Sequence, residues 1–272
     1  MSAAVAGAEL RLALPTRPEN LTLVRQALAG LADAHGIGEE PLGDLKQIAT
    51  EGCMNAIVHA YPPDEEGRME VSAFVANGAV ELRIQDWGAG FRPRPADSGE
   101  TSLRLGLPLI ATLADSFQIS SPAEGGTVLT ATVRTESNGD GPSAPAPPAT
   151  PGEAEVTVAA GAAAKPVIAR VIAVAATRAG FSVDRMSDGV LLGDAISTHQ
   201  AGDFAEQRVG IEFTECGPNL CVRVGPFVAG GADRMVDRLE VPGLGISIGK
   251  LATRVDVERD DSGEFLVIEI EP

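Results

Sequence analysis

Glu51, Asn55 and His59 stand four residues apart in the stretch "DLKQIATEGCMNAIVHAY", residues 44–61. On a helix that spacing stacks the three side chains along one face. A core-facing stripe would bury a carboxylate and an amide without compensation, a heavy penalty, so the stripe is expected to line a site. Further on, Asp86 ends the apolar stretch "VELRIQD" and is followed by Gly88 and Gly90, which let backbone come close to a ligand. Gly106 is expected to precede a helix with Pro108 in its first turn, where unbonded N–H groups can hold a phosphate. Together these supply a carboxylate for the edge of a base, glycines for close approach, a helix end for phosphates, and in Asn55 an amide oxygen suited to Mg2+.

Such residues need elements to carry them. "ELRLALP" alternates as a strand does, and "ENLTLVRQALAGLADAH" carries apolar residues at helical spacing up to Gly36. The helix holding Glu51 follows, and then two strands, "RMEVSAFVA" and "VELRIQD", joined through the hairpin turn Asn77-Gly78. An irregular segment, a short helix "LPLIATLAD" and a last strand pair around Gly125-Gly126 complete the run. Strands in series with helices between them predict a two-layer α/β (α+β) sandwich whose mixed or antiparallel sheet is covered on one face.

The chain has 272 residues, enough for two domains of roughly 130 residues. Between them "RTESNGDGPSAPAPPATPG" has the composition of a linker. The expected division is therefore a first domain at 1–134, a flexible Pro/Gly/Ala linker at 135–153 and a second domain at 154–272. Twenty-one basic against 38 acidic residues give a net charge of −17, which repels phosphate backbones and anionic membranes. No direct nucleic-acid or membrane partner is expected, and with no basic-then-apolar leader the expected location is the cytoplasm. The three cysteines, Cys53, Cys216 and Cys221, are expected as reduced thiols, without a zinc site.

The helix pattern E-x-x-x-N-x-x-x-H-A-Y, the strand end D-x-G-x-G-F, "LGLPLIATLAD" and "GGTVLTATV" stand in this order over residues 8–134. That set resembles the Bergerat-type ATP-binding fold shared by gyrase, histidine kinases and the GHKL superfamily. Within it, the set is most similar to the anti-sigma factor serine/threonine kinases. The resemblance implies ATP and Mg2+ as cofactors, Glu51 as general base toward a protein hydroxyl, and Asn55 as the Mg2+ ligand. It implies that Asp86 accepts the adenine amino group with support from Thr127, and that Gly88 and Gly90 border the nucleotide. Residues 91–103 would form a lid over the phosphates, with Gly106 donating backbone N–H groups. Where the family has G-x-G before the short helix, this chain has Arg104-Leu105-Gly106. Arg104 either reaches the γ-phosphate or crowds the lid. His59 and Tyr61 match the signature and are given no chemistry.

The second half repeats the order of elements, and blocks of the two halves can be laid side by side. "VELRIQDWGAGF" pairs with "LCVRVGPFVAGG", and "LADSFQIS" with "LATRVDVE". In that pairing Ala195 and His199 replace Glu51 and Asn55, Pro226 replaces Asp86, Val228 replaces Gly88, and "SGE" replaces "GGT". The second half is therefore expected to be a degenerate, nucleotide-free copy. "GLGISIGK" fails as a phosphate loop, since its glycines are spaced one residue too far apart and Leu251 stands where a hydroxyl is needed.

Kinases of the family resembled work as homodimers that clasp a sigma factor, and a tandem chain would form that dimer internally. The expected partners are a sigma factor and a small antagonist (anti-anti-sigma) protein, in bacterial transcription regulation by partner switching. The alternative is a protein-binding scaffold of the same fold, nucleotide-gated or nucleotide-free, without phosphotransfer.

Overall fold

The computed structural model describes residues 8–62, 65–90, 103–123, 125–135, 154–179, 201–216, 219–238, 240–241, 246–247 and 252–271, with Phe181, Leu192, Gly193 and Ile196. All of the expected lid but Leu103, all of the expected linker but Thr135, and Ala195 and His199 lie outside them.

In the first half, strand β1 (Leu10–Pro15) leads to helix α1 (Asn20–His35) and helix α2 (Glu39–Asn55). A π turn (Ala56–Ala60) extends α2, and β2 (Arg68–Ala76), β3 (Ala79–Asp86), α3 (Leu103–Leu113), β4 (Ser116–Ser120) and β5 (Val128–Arg134) follow. The second half runs β6 (Ala154–Ala159), α4 (Ala164–Arg178), β7 (Arg208–Cys216), β8 (Asn219–Phe227) and α5 (Gly231–Arg238). A two-stranded sheet of β9 (Glu240–Val241) and β10 (Ile246–Ser247), which the sequence pattern does not foreshadow, precedes β11 (Arg254–Asp260) and β12 (Gly263–Ile270).

The local reasons are plain. Asn77 and Gly78 both have positive φ, 53° and 70°, as a two-residue hairpin turn requires, and they set the register Ala76↔Ala79 through Met69↔Asp86. Gly36, at φ 62°, ends α1 in a left-handed cap whose N–H bonds to Ala32 O. Leu10, Leu12 and Leu14 alternate into a core with Leu23, Leu28 and Leu31 of α1 and Ile48 of α2. Cys53 is buried there, its thiol pushed up to about 12 by burial, so it behaves as an inert apolar filler. Cys221 departs from the reduced-thiol expectation. It stands on β8 close to the hairpin end Cys216↔Asn219 and is disulfide-bonded, the sort of proximity that sequence spacing alone does not show.

The ten long strands form one antiparallel sheet in the order β11-β12-β8-β7-β6-β1-β2-β3-β5-β4. Read outward from the middle, each half presents the same order: first strand, second, third, last, then last but one. β1 pairs with β2 on one edge and with β6 on the other, in the register Leu10↔Val158 to Ala13↔Glu155. On the helix side α1 lies against α4, where a Cβ on Gly30 would fall 2.6 Å from Val167 Cα. Only glycine allows that approach. Arg178 Nη1 donates to Asn20 Oδ1 at 2.9 Å, and Arg170 pairs with Asp33 across the same seam. On β1 Arg11, nine-tenths buried, donates to Glu70 Oε2 at 2.7 Å. Burial raises the Glu155 carboxyl on the facing strand, and the Arg11 charge is the largest influence opposing it.

Gly30→Ala tests the seam. The added methyl meets backbone that cannot turn aside, so a loss of about 1–3 kcal/mol is expected, read as an earlier urea midpoint. An unchanged midpoint would mean that α1 and α4 do not touch in solution.

Candidate functional site

The site forms where the end of α2, the end of β3 and the start of β5 meet. Asp86 is the last residue of β3 and is buried, only 6% exposed. Its Oδ1 accepts the N–H of Gly88 at 3.0 Å and of Thr127 at 3.2 Å, and the Thr127 side chain also bonds it. Asp86 N–H in turn donates to Thr127 O at 3.0 Å. Burial raises the Asp86 carboxyl above its usual range, and these hydrogen bonds act against that rise. The expected pairing of Asp86 with Thr127 is thus present as a reciprocal contact.

The backbone around Asp86 is close-packed. A Cβ on Gly88 would sit 2.0 Å from Ala60 O, and one on Gly126, which has φ 82°, would sit 2.1 Å from Asp86 O. Gly126 N–H donates to Gly88 O at 3.0 Å, binding the two glycine turns together. Gly90, at φ 77°, continues the same turn. The glycines act on one another's backbone, a use the sequence reading assigned to ligand approach alone.

Glu51 and Asn55 occupy the last turn of α2, half-buried. Among the described residues neither side chain has a hydrogen-bond or ion-pair partner. Two half-buried polar groups left open on a helix that packs against β3, where a Cβ on Gly52 would lie 2.4 Å from Ile84 Cδ1, have the character of a binding site. Asn55 offers the amide oxygen that a hard cation takes, so the residues present fit Mg2+ held by one protein ligand and substrate phosphates.

Two expectations need correction. The stripe Glu51–Asn55–His59 does not continue, because the chain winds as a π turn from Ala56 to Ala60 and the wider turn carries His59 out to an exposed position. Gly106 does not precede the short helix. α3 begins at Leu103, so Arg104 and Gly106 both lie within it, and the unbonded first-turn N–H groups lie earlier in the chain than expected. Tyr61, which matches the signature and is given no chemistry, is a packed, hydrogen-bonded end to the helix: its hydroxyl accepts the N–H of Trp87 at 3.0 Å and donates to Arg68 O at 2.7 Å. Its place in the H-A-Y pattern was the available signal.

The matching corner of the second half is built differently. There Glu264, in the position paired with Thr127, turns its own carboxylate on the start of α5, accepting Gly230 N–H at 2.9 Å and Ala232 N–H at 3.3 Å. Those hydrogen bonds lower its carboxyl below the usual range. Arg259 pairs with Asp233 of α5 at 2.6 Å, and Arg234 with Asp203 at 3.3 Å. Phe204 stacks on Phe227 with ring centroids 4.7 Å apart. The chain's own groups hold α5 against the end of β8.

The histidine kinase-like ATPase domain family matches residues 14–133. The serine-protein kinase RsbW of Listeria monocytogenes is 32% identical over 123 residues, covering 41% of this chain and 78% of that protein. RsbW of Bacillus licheniformis is 30% identical over 117 residues, covering 39% and 73%. A solved histidine kinase domain from the Erythrobacter litoralis EL346 blue-light activated histidine kinase overlaps at a TM-score of 0.31 and 18% identity, over 50% of this chain and 66% of that chain, too slight an overlap to bear on the fold. Among the described residues no helix is long and apolar enough to cross a membrane. With Asp86, Thr127 and the glycine turns in place, the chain belongs to the histidine kinase-like ATPases, in the family that contains the RsbW serine-protein kinases.

Proposed function

We propose that this chain is an ATP-dependent serine/threonine protein kinase that acts as an anti-sigma factor, phosphorylating a small antagonist protein and so switching partners. The observation that carries the reading is a buried, hydrogen-bonded Asp86 at the end of β3, together with the open side chains of Glu51 and Asn55 on the helix packed against that strand. The names of its relatives support it, since they are serine-protein kinases.

In this reading Asp86, whose carboxylate keeps acceptor capacity beyond the two backbone N–H groups, takes a hydrogen bond from the adenine amino group. Asn55 ligates Mg2+, which when bound neutralises phosphate charge. Glu51 orients the acceptor hydroxyl and receives its proton as the oxygen bonds to the γ-phosphorus and the bond to the β-phosphate oxygen breaks, releasing ADP. Arg104 and Gly106, at the start of α3, serve the phosphate end.

The second half serves as the other member of a dimer built into one chain. The shared β1–β6 ladder, the α1–α4 contact and the equal strand order of the halves support that reading. So does Glu264, which occupies the α5 start in the half whose sequence lacks the acidic and amide groups of the first. One half then binds nucleotide and both present surface to a sigma factor. The chain is expected to act in the cytoplasm.

The full chain should bind a single Mg·ATP by calorimetry, and Asp86→Asn should weaken it about ten- to hundredfold. The sign of the pH effect follows from the raised Asp86 carboxyl. A carboxyl raised by folding favours the fold below its unfolded pKa, and that favour is lost as pH rises through the folded value, so ionised Asp86 opposes folding. Asp86→Asn should therefore leave the thermal midpoint of the nucleotide-free protein at pH 7 equal or higher while binding weakens. ATP affinity should fall on acidification at a pH above the ordinary carboxylate range. A lower midpoint with affinity intact would refute the assignment of Asp86.

Glu51→Ala should keep Mg·ATP affinity within about twofold, yet slow phosphate transfer to an antagonist serine about a hundredfold or more. Equal regulation of a partner by wild type and this variant would instead favour the scaffold without phosphotransfer.

A further inference from the structure

The proposed function leaves Tyr61 without a task, although it is the one tyrosine in the chain and ends the H-A-Y motif. Its hydroxyl is engaged in both directions, donating to Arg68 O at 2.7 Å and accepting the N–H of Trp87 at 3.0 Å. Trp87 directly follows Asp86. The next amide, Gly88 N–H, donates to Asp86 Oδ1 at 3.0 Å, and the one after it, Ala89 N–H, donates to Ala60 O at 2.8 Å. Three successive amides are thus held, and two of their acceptors belong to the last residues of the π turn and its exit, Ala60 and Tyr61.

The ring has no freedom to drift. A Cβ on Gly67 would lie 2.1 Å from the Tyr61 ring, so the ring is packed on that backbone. Arg68, whose carbonyl takes the hydroxyl proton, also sets its guanidinium 5.9 Å from the centre of the Trp87 indole. The end of α2 and the start of β2 therefore grip the turn that carries Asp86 from two sides.

We propose that Tyr61 is a positioning residue for adenine recognition, its hydroxyl fixing the Asp86–Ala89 turn so that the Asp86 carboxylate meets the 6-amino group of the base. The inference rests on the proposed ATP site and goes beyond it by assigning the selectivity for an amino-bearing purine to a residue that does not touch the nucleotide. Hydrogen-bond direction at Asp86 depends on where the turn holds the carboxylate, and a displaced acceptor loses its preference for a donor on the base before it loses phosphate contacts.

The test compares Mg·ATP with Mg·ITP, which carries an oxo group in place of the 6-amino group, on the full chain. Binding is followed by calorimetry and by the emission of Trp87, the one tryptophan. Wild type should prefer ATP. Tyr61→Phe keeps the ring and removes the hydroxyl. It should weaken ATP about three- to tenfold and ITP far less, so that the ATP/ITP ratio shrinks toward the value found in Asp86→Asn. Equal losses for both nucleotides, or none, would overturn the inference and leave the ATP site standing. A wild type that binds ATP no better than ITP would instead overturn the site and the inference with it. Should Tyr61→Phe fail to fold, Gly67→Ala, whose methyl must displace the ring, should shrink the same ratio, and an undiminished ratio there would again overturn the inference.

Discussion

The architecture depends on β1 being hydrogen-bonded along both edges. An isolated sheet edge offers a row of unpaired N–H and C=O groups that recruits other chains. Here β2 takes one edge and β6 the other, so the strand that begins the first half lies at the centre of a ten-stranded sheet. The helices above must follow, and they do so through a glycine at the contact, Gly30 against Val167, which lets the two axes come close. Backbone pairing and helix packing then reinforce each other. Through them the strands of both halves form one continuous sheet.

Within that body the same corner is solved in two ways. In the first half the corner keeps a desolvated carboxylate, Asp86, stabilised by N–H groups of Gly88 and Thr127 and opposed by its own burial. In the second half a carboxylate from the neighbouring strand, Glu264, points at the start of α5 and satisfies the helix's free amides, with the dipole in its favour. The first arrangement stores unfavourable electrostatics that a ligand can relieve. The second has already relieved them from inside the chain. A corner whose amides are bonded internally gives up the groups that an external phosphate would need.

Sequence alone foretold the elements wherever a local rule dominates. Asn77-Gly78 demanded positive φ and located the β2–β3 hairpin to the residue, Gly36 ended α1, and the alternation of leucines identified β1. The family resemblance, not the spacing of the strands, put Asp86 and Thr127 side by side, and Thr127 N–H does donate to Asp86 Oδ1. What sequence alone missed depends on distant contacts or on a subtle change of winding. Ala56 to Ala60 carries the same residue types as an α-helix would, so nothing in its pattern announces the π turn that sends His59 outward. The helical pattern of α3 reads equally well from Leu103 or from Leu107, since leucines occupy both positions. The seam between β1 and β6 was invisible because four backbone pairings between residues some 145 apart leave no local mark.

The π turn also explains why the site lies where it does. Ala60 is the last residue of the π turn, its carbonyl has no donor left within the helix, and it accepts from Ala89 N–H outside it. That bond and the Tyr61 hydroxyl draw the glycine turn against the helix end, which is why Gly88 has no room for a side chain. Asn55, immediately before the π turn, and Glu51, one turn earlier, remain on regular helix with their side chains open. Leaving them unpaired beside the packed turn lowers stability, and natural sequences keep such violations of local consistency chiefly where a ligand completes the set. The helix irregularity and the unpaired polar groups are therefore two parts of one device. The first brings the recognition turn to the helix, and the second leaves the helix free to act on what that turn recognises.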